Sequence, residues 1–142
     1  MREKQFLTIF LLLIAAFLAT GCNSQPNVSG YWKGSIDATD KQGHKWNGPA
    51  ELTLNQNGNA LTGTLSFTHP QGGRVQVPIS SGVVSKDAVT FSGQNQFPMG
   101  MLELSFHGKI ADSSLNGTAD MTSRSLLIGP IANTASLKLT KQ

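Results

Sequence analysis

Along residues 102–110 the chain alternates without a break: Leu102, Leu104, Phe106, Gly108 and Ile110 fall on one side, and Glu103, Ser105, His107 and Lys109 on the other. A period of two belongs to a β-strand, whose successive side chains leave opposite faces, and no helix gathers every second residue. The pattern recurs. Leu52 and Leu54 alternate with Glu51, Thr53 and Asn55; Leu61, Gly63, Leu65 and Phe67 with Thr62, Thr64 and Ser66; Val75, Val77 and Ile79 share a face, as do Val89 and Phe91. Each such run has one buried face and one wet face.

Turn chemistry separates the runs, at Lys41-Gln42-Gly43, Asn57-Gly58-Asn59, Pro70-Gln71-Gly72-Gly73, Lys86-Asp87, Pro98-Met99-Gly100 and Asp112-Ser113-Ser114. Such clusters reverse the chain over a few residues. The reading is eight strands, over 30–39, 46–55, 60–68, 74–84, 88–95, 101–111, 115–122 and 135–141. Short links make neighbours antiparallel.

Upstream the composition changes. Arg2 and Lys4 precede an apolar run from Phe6 to Leu18, interrupted only by Thr8, and small residues then lead into Cys22. As a helix this run would reach only about 20 Å, short of a hydrocarbon core of roughly 30 Å, so it reads as an export signal. Leu18-Ala19-Thr20-Gly21-Cys22 resembles the lipobox of bacterial lipoproteins, although Ala19 stands where Leu is commonest. The resemblance implies cleavage before Cys22 and acylation of that cysteine, palmitate being one such acyl chain. Cys22 is the only cysteine, so an exported chain has no intramolecular disulfide for it to join. The expected organisation is a signal peptide over 1–21, a lipidated Cys22 and tether over 22–28, and a β-domain over 29–142. Several acyl chains would hold the protein on a membrane. By the same resemblance, Asn23 rather than Asp after the cysteine implies the outer membrane if the source is Gram-negative.

The pI near 9.3 is a weak guide to partners. Losing Arg2, Lys4 and Glu3 with the leader takes eleven basic and eight acidic residues to nine and seven. The nine are scattered singly from Lys33 to Lys141, without the basic stripe that nucleic acid requires. Only 13% of residues are charged, against about 25% in an average soluble protein, which suits an uncharged, turn-rich β exterior.

Glycine falls on the predicted inward face at Gly34, Gly63, Gly93, Gly108 and Gly117. Glycine weakens a strand unless the sheet must bend or another group comes close. A strongly coiled sheet, closed as an all-β, antiparallel, up-and-down eight-stranded barrel, follows; the competing reading is that glycine is simply abundant here. Gly30-Tyr31-Trp32 matches the short Gly-x-Trp element of lipocalins, and the hairpin-linked strands resemble the wider calycin group, avidin-like barrels included. The resemblance implies that Trp32 closes the barrel's bottom under a basic side chain from a late strand, Lys138 or Lys141.

Alternating connectivity sends Cys22 to the end bearing the links near Asn57, Lys86 and Asp112. The far end gathers 39–45, 69–73, 96–100 and a long link, 123–134. Trp46, His69, Phe97, Met99, Arg124, Leu126, Leu127 and Ile131 are the candidate ligand-binding residues there, apolar walls with Arg124 or His69 for polar orientation. A long apolar link either covers something or, on the competing account, extends its flanking strands.

No Gly-x-Ser-x-Gly elbow is present, no spacing joins a serine to His44, His69 or His107, and the acids are dispersed. His44 and His69 share an end but lack an i, i+2 pair or a cysteine ligand, which is a poor zinc case. No enzyme, cofactor or metal is expected. Two functions remain: a membrane-anchored, non-enzymatic barrel binding a small apolar ligand at its membrane-distal end, or a structural or inhibitor-like envelope lipoprotein with a filled barrel that docks a protein partner.

Overall fold

Alternation becomes hydrogen-bonded ladder in the computed structural model, which describes residues 25–70, 73–126 and 129–142, with the side chains of 129–131 excepted. The expected leader, Cys22 and Leu127 lie outside the described residues. Eight strands follow one another: β1 Gly30–Asp40, β2 Lys45–Asn57, β3 Ala60–His69, β4 Gly73–Ser85, β5 Ala88–Phe97, β6 Gly100–Ala111, β7 Ser114–Ser125 and β8 Gly129–Lys141. Each pairs antiparallel with the next and β8 returns to β1, closing the barrel in sequence order. Closure leaves no edge strand exposed for pairing with another chain.

Inward positions carry the core. Ile36, Leu52, Leu65, Val77, Leu104, Phe106, Leu115 and Leu137 are all buried, whereas His107 and Lys109 on the opposite face of β6 are exposed. One register row runs Trp46, Ala38, Ala135, Ala119, Phe106, Phe91 from β2 round to β5. Phe91 and Phe106 stack at 4.6 Å, and the three alanines lie on the strands between Phe106 and Trp46. Large rings thus end a row whose middle is alanine, and because barrel strands tilt, the row climbs from Phe91 toward the base to Trp46 at the mouth.

Two glycine sites show why the wall can coil so tightly. A Cβ at Gly34 would collide with the carbonyl oxygen of Lys138 on the neighbouring strand. Gly108 and Gly117 face each other across β6 and β7, and the tip of the Phe106 ring fills the space their side chains would need. An aromatic ring laid over backbone glycine restores the burial that glycine forfeits.

The regular pattern breaks once, in β4. Ile79 pairs with Gly93 but Ser81 with Ser92, so the inward set changes from Val75, Val77 and Ile79 to Gly82 and Val84. Val84 is buried while its neighbour Val83 is 44% exposed. This bulge adds local twist.

The base, at the 57–60, 85–88 and 111–114 turns, is plugged. Trp32 is 1% exposed, its indole Nε1 donates to the Val28 carbonyl oxygen at 3.0 Å, and Val28 itself is fully buried. Lys141 Nζ stands 5.8 Å from the Trp32 ring centroid and donates to the Asn27 carbonyl oxygen at 3.1 Å. Of the two lysines that the sequence proposes as a cover, Lys141 is the one that covers Trp32.

The expectation of a long link over 123–134 is corrected. β7 continues to Ser125 and β8 begins at Gly129, with Ser125 paired to Gly129 and Arg124 to Pro130. Continuing the ladder satisfies backbone groups that an irregular loop would leave to water.

Candidate functional site

Above the filled lower barrel the interior opens into a cup of about 1010 Å³ at the end opposite the Trp32 plug. Its apolar lining comes from inward positions nearest the rim: Trp46 on β2, Phe67 on β3, Val75 on β4, Phe97 on β5, Leu102 on β6 and Met121 on β7. Phe67, Leu102 and Met121 are buried and form the deepest part, while Phe97 is 42% exposed at the lip. Trp46 organises one wall, with Phe67 stacked at 5.8 Å and His69 edge-on at 4.7 Å between ring centroids. Polar groups ring the opening: Asp40, His44, Lys45, Asn47, His69, Ser123 and Asn133.

The β1–β2 turn is held by one carboxylate. Asp40 Oδ1 accepts from the amides of Gln42 at 2.8 Å and His44 at 2.9 Å, and its Oδ2 lies 2.9 Å from His44 Nδ1. Burial by itself would raise the Asp40 carboxyl, but these bonds from His44 and Gln42 outweigh it and hold the group below the ordinary carboxylate value. No group of three or more His, Cys, Asp or Glu side chains able to hold a metal occurs among the described residues.

Of the residues singled out from sequence, Trp46, His69 and Phe97 line the cup. Met99 and Arg124 do not. Met99 sits in the β5–β6 turn, 52% exposed, and its carbonyl oxygen accepts from the Leu126 amide at 3.1 Å. Arg124 is on the outer face of β7, 3.7 Å from Glu103. Leu126 does not line the cup either, standing 83% exposed at the β7–β8 turn. Ile131 is in β8, paired with Ser123, and its side chain is outside the description.

Sequence reasoning left out Phe67, Val75, Leu102 and Met121, the deeper apolar lining. Phe67, Val75 and Leu102 read as ordinary inward residues of their strands. The available signal was position: each stands within a few inward positions of a turn at the mouth.

Outside the barrel, a shallower groove of about 500 Å³ crosses β2, β1, β8 and β7. Its lining combines the outward residues Asp37, Thr39, Lys45, Asn47, Thr118, Thr134 and Ser136 with Ala38, Trp46 and Ala135 of the same strands. A second outer cluster joins Arg74 to Glu51 at 3.0 Å.

No protein-family model matches the chain, and no curated protein matches it. Among solved structures, the chain is similar to a crystal structure of a protein of unknown function from the DUF3598 family, from Nostoc punctiforme. The identity is 12% and the TM-score 0.37, over 84% of this chain and 51% of that one, so this chain spans about half of that protein's length.

Proposed function

We propose that this protein is a lipid-tethered, non-enzymatic binding module that holds a small apolar molecule in the mouth of its barrel. The observation carrying the reading is the cup itself: about 1010 Å³, walled by Trp46, Phe67, Val75, Phe97, Leu102 and Met121, with polar groups confined mostly to its rim. Small-molecule sites have this composition, a largely apolar concavity with a few polar groups that set orientation. The chain enters the described structure at the plugged base, where Val28 and Asn27 are bound, so a tether through Cys22 would leave the mouth pointing away from its membrane.

Titration with the neutral fluorophore N-phenyl-1-naphthylamine tests it. Saturable one-to-one binding with quenching of Trp46 is expected, and Met121→Trp, which fills the cup, should weaken it at least about tenfold. Binding that survives a filled cup would place the probe elsewhere and overturn the reading. Trp32, sealed in the base, serves as the unresponsive emitter.

The alternative is a structural or inhibitor-like envelope lipoprotein that docks a protein. It draws support from the filled lower barrel and from exposed Met99 and Leu126 on adjoining turns. It would show as partner capture lost in Met99→Ser with Leu126→Ser, and unaffected by filling the cup.

A further inference from the structure

We propose that the cup takes a compact, ring-bearing apolar anion, with its negative group against the β1–β2 hairpin. This rests on the binding reading above and adds the ligand's shape and charge. Shape follows from depth. Among the described residues no strand supplies more than two inward side chains to the lining: Phe67 and His69 on β3, Met121 and Ser123 on β7. Two inward positions span about 7 Å along a strand, and less along the axis of a tilted barrel. Below them Leu104 and Phe106 are buried and the bore is closed. A volume of about 1010 Å³ at that depth makes the cup broad and shallow. A long alkyl chain would leave most of its methylenes in water, whereas a fused-ring body fits whole. The Trp46, Phe67 and His69 rings, in contact at 5.8 and 4.7 Å, offer it aromatic surface.

Charge is distributed unevenly around the mouth. The β1–β2 hairpin carries Lys41, His44 and Lys45; Lys45 pairs with outward Thr39 and stands at the rim, where it borders both the cup and the outer groove. The acid of its turn, Asp40, has both oxygens occupied by three donors of that turn, and Asp37 on β1 lies in the outer groove. Across the barrel, the β5–β6 turn presents Pro98 and Met99, and the described part of the β7–β8 turn, on the side next to β1, presents Leu126. Arg74 and Arg124 are held on the outer wall by Glu51 and Glu103. Lys41 and Lys45 are therefore the lysines at the mouth, and no ion pair holds either among the described residues. An apolar body that enters past Phe97 and carries an anion toward Lys45 satisfies both sides of the opening at once.

The matched pair 1-anilinonaphthalene-8-sulfonate and N-phenyl-1-naphthylamine differs only in the sulfonate, and both are titrated into the purified full chain. The sulfonate should bind about tenfold tighter at about 0.01 M salt, with the preference shrinking to about threefold or less at about 1 M. Replacing both lysines, Lys41→Gln with Lys45→Gln, should abolish the preference at low salt. Lys109→Gln, on the outer face near the base, should leave it intact. Dodecanoate should compete more weakly than naphthalene-1-sulfonate. Equal affinity for the two probes, or a preference that outlasts the loss of both lysines, overturns the charge assignment while the cup remains a binding site. Tighter binding of dodecanoate overturns the shape. Failure of both probes to bind instead removes the function on which the proposal rests.

Discussion

Phe106→Ala should be among the most damaging single changes in this barrel. The side chain is fully buried, stacks on Phe91 at 4.6 Å, and roofs the glycine pair Gly108 and Gly117. Truncating a buried Phe costs about 3–5 kcal/mol, the cost rising with the volume that neighbours cannot refill. Here two neighbours are glycines without side chains to move, so the upper part of that range, about 4–5 kcal/mol, is expected. A small domain has about 5–15 kcal/mol in total, so Phe106→Leu, at about 1–2 kcal/mol, is the companion that keeps a folded state to measure. Urea unfolding at 25 °C followed by circular dichroism reads both. A cycle with Gly108→Ala adds a sharper test. In the native background the new methyl runs into the Phe106 ring, with the Asn116 carbonyl oxygen 2.7 Å away; without the ring the carbonyl contact remains and the ring contacts are gone. Gly108→Ala should therefore cost at least about 1 kcal/mol less in the Phe106→Ala or Phe106→Leu background than alone. Additive costs, or a Phe106→Ala penalty no larger than that of Glu103→Ala, would refute the packing described here.

Trp32→Phe removes the donor to the Val28 carbonyl oxygen and leaves a buried acceptor unpaired, so a loss of about 1–3 kcal/mol by the same urea assay is expected. Leu126→Ser should change stability by under about 0.5 kcal/mol, because the side chain is 83% exposed; a loss of several kcal/mol would mean that it packs against the barrel. Asp40 titrates below its ordinary value of 3.8 in the folded chain, so its contribution is complete above that value and disappears as pH falls through the lower folded value. The Gln42 and His44 amide resonances should follow it, with a midpoint below 3.8; a midpoint above 3.8 contradicts the bonding drawn for this turn. If Cys22 is the tether, Cys22→Ala should leave the chain uncleaved or release it from the membrane fraction, and normal processing with normal fractionation would remove the lipoprotein reading.

Strand identity and the antiparallel order were legible in the sequence wherever one face of a strand is buried and the other wet. Leu102 to Ile110 and Leu61 to Phe67 alternate because the core and the solvent select different residues on the two faces. Where that contrast fades, the pattern fades with it. Ser123, Ser125 and Asn133 occupy inward positions at the mouth, where the interior meets the cup, so both faces of these strand ends tolerate polar residues. The 123–134 segment consequently read as a link, although most of it is ladder. The β4 bulge was hidden for another reason: Ser80, Ser81 and Gly82 suit either face, and only pairing with β3 and β5 on both sides displaces the register.

The candidate site divides along the same line. Trp46, His69 and Phe97 could be placed at one end of the molecule because hairpin alternation alone sorts the turns between two ends. Phe67, Val75 and Leu102 carry the same period-two signal as Leu52 or Leu104, and nothing local distinguishes an apolar residue facing a cup from one facing a packed core. That distinction arises only when β8 closes on β1 and the register decides which inward side chains meet across the bore. Toward the base, Phe91 and Phe106 fill it; toward the mouth, Trp46, Phe67, His69 and Phe97 line the cup.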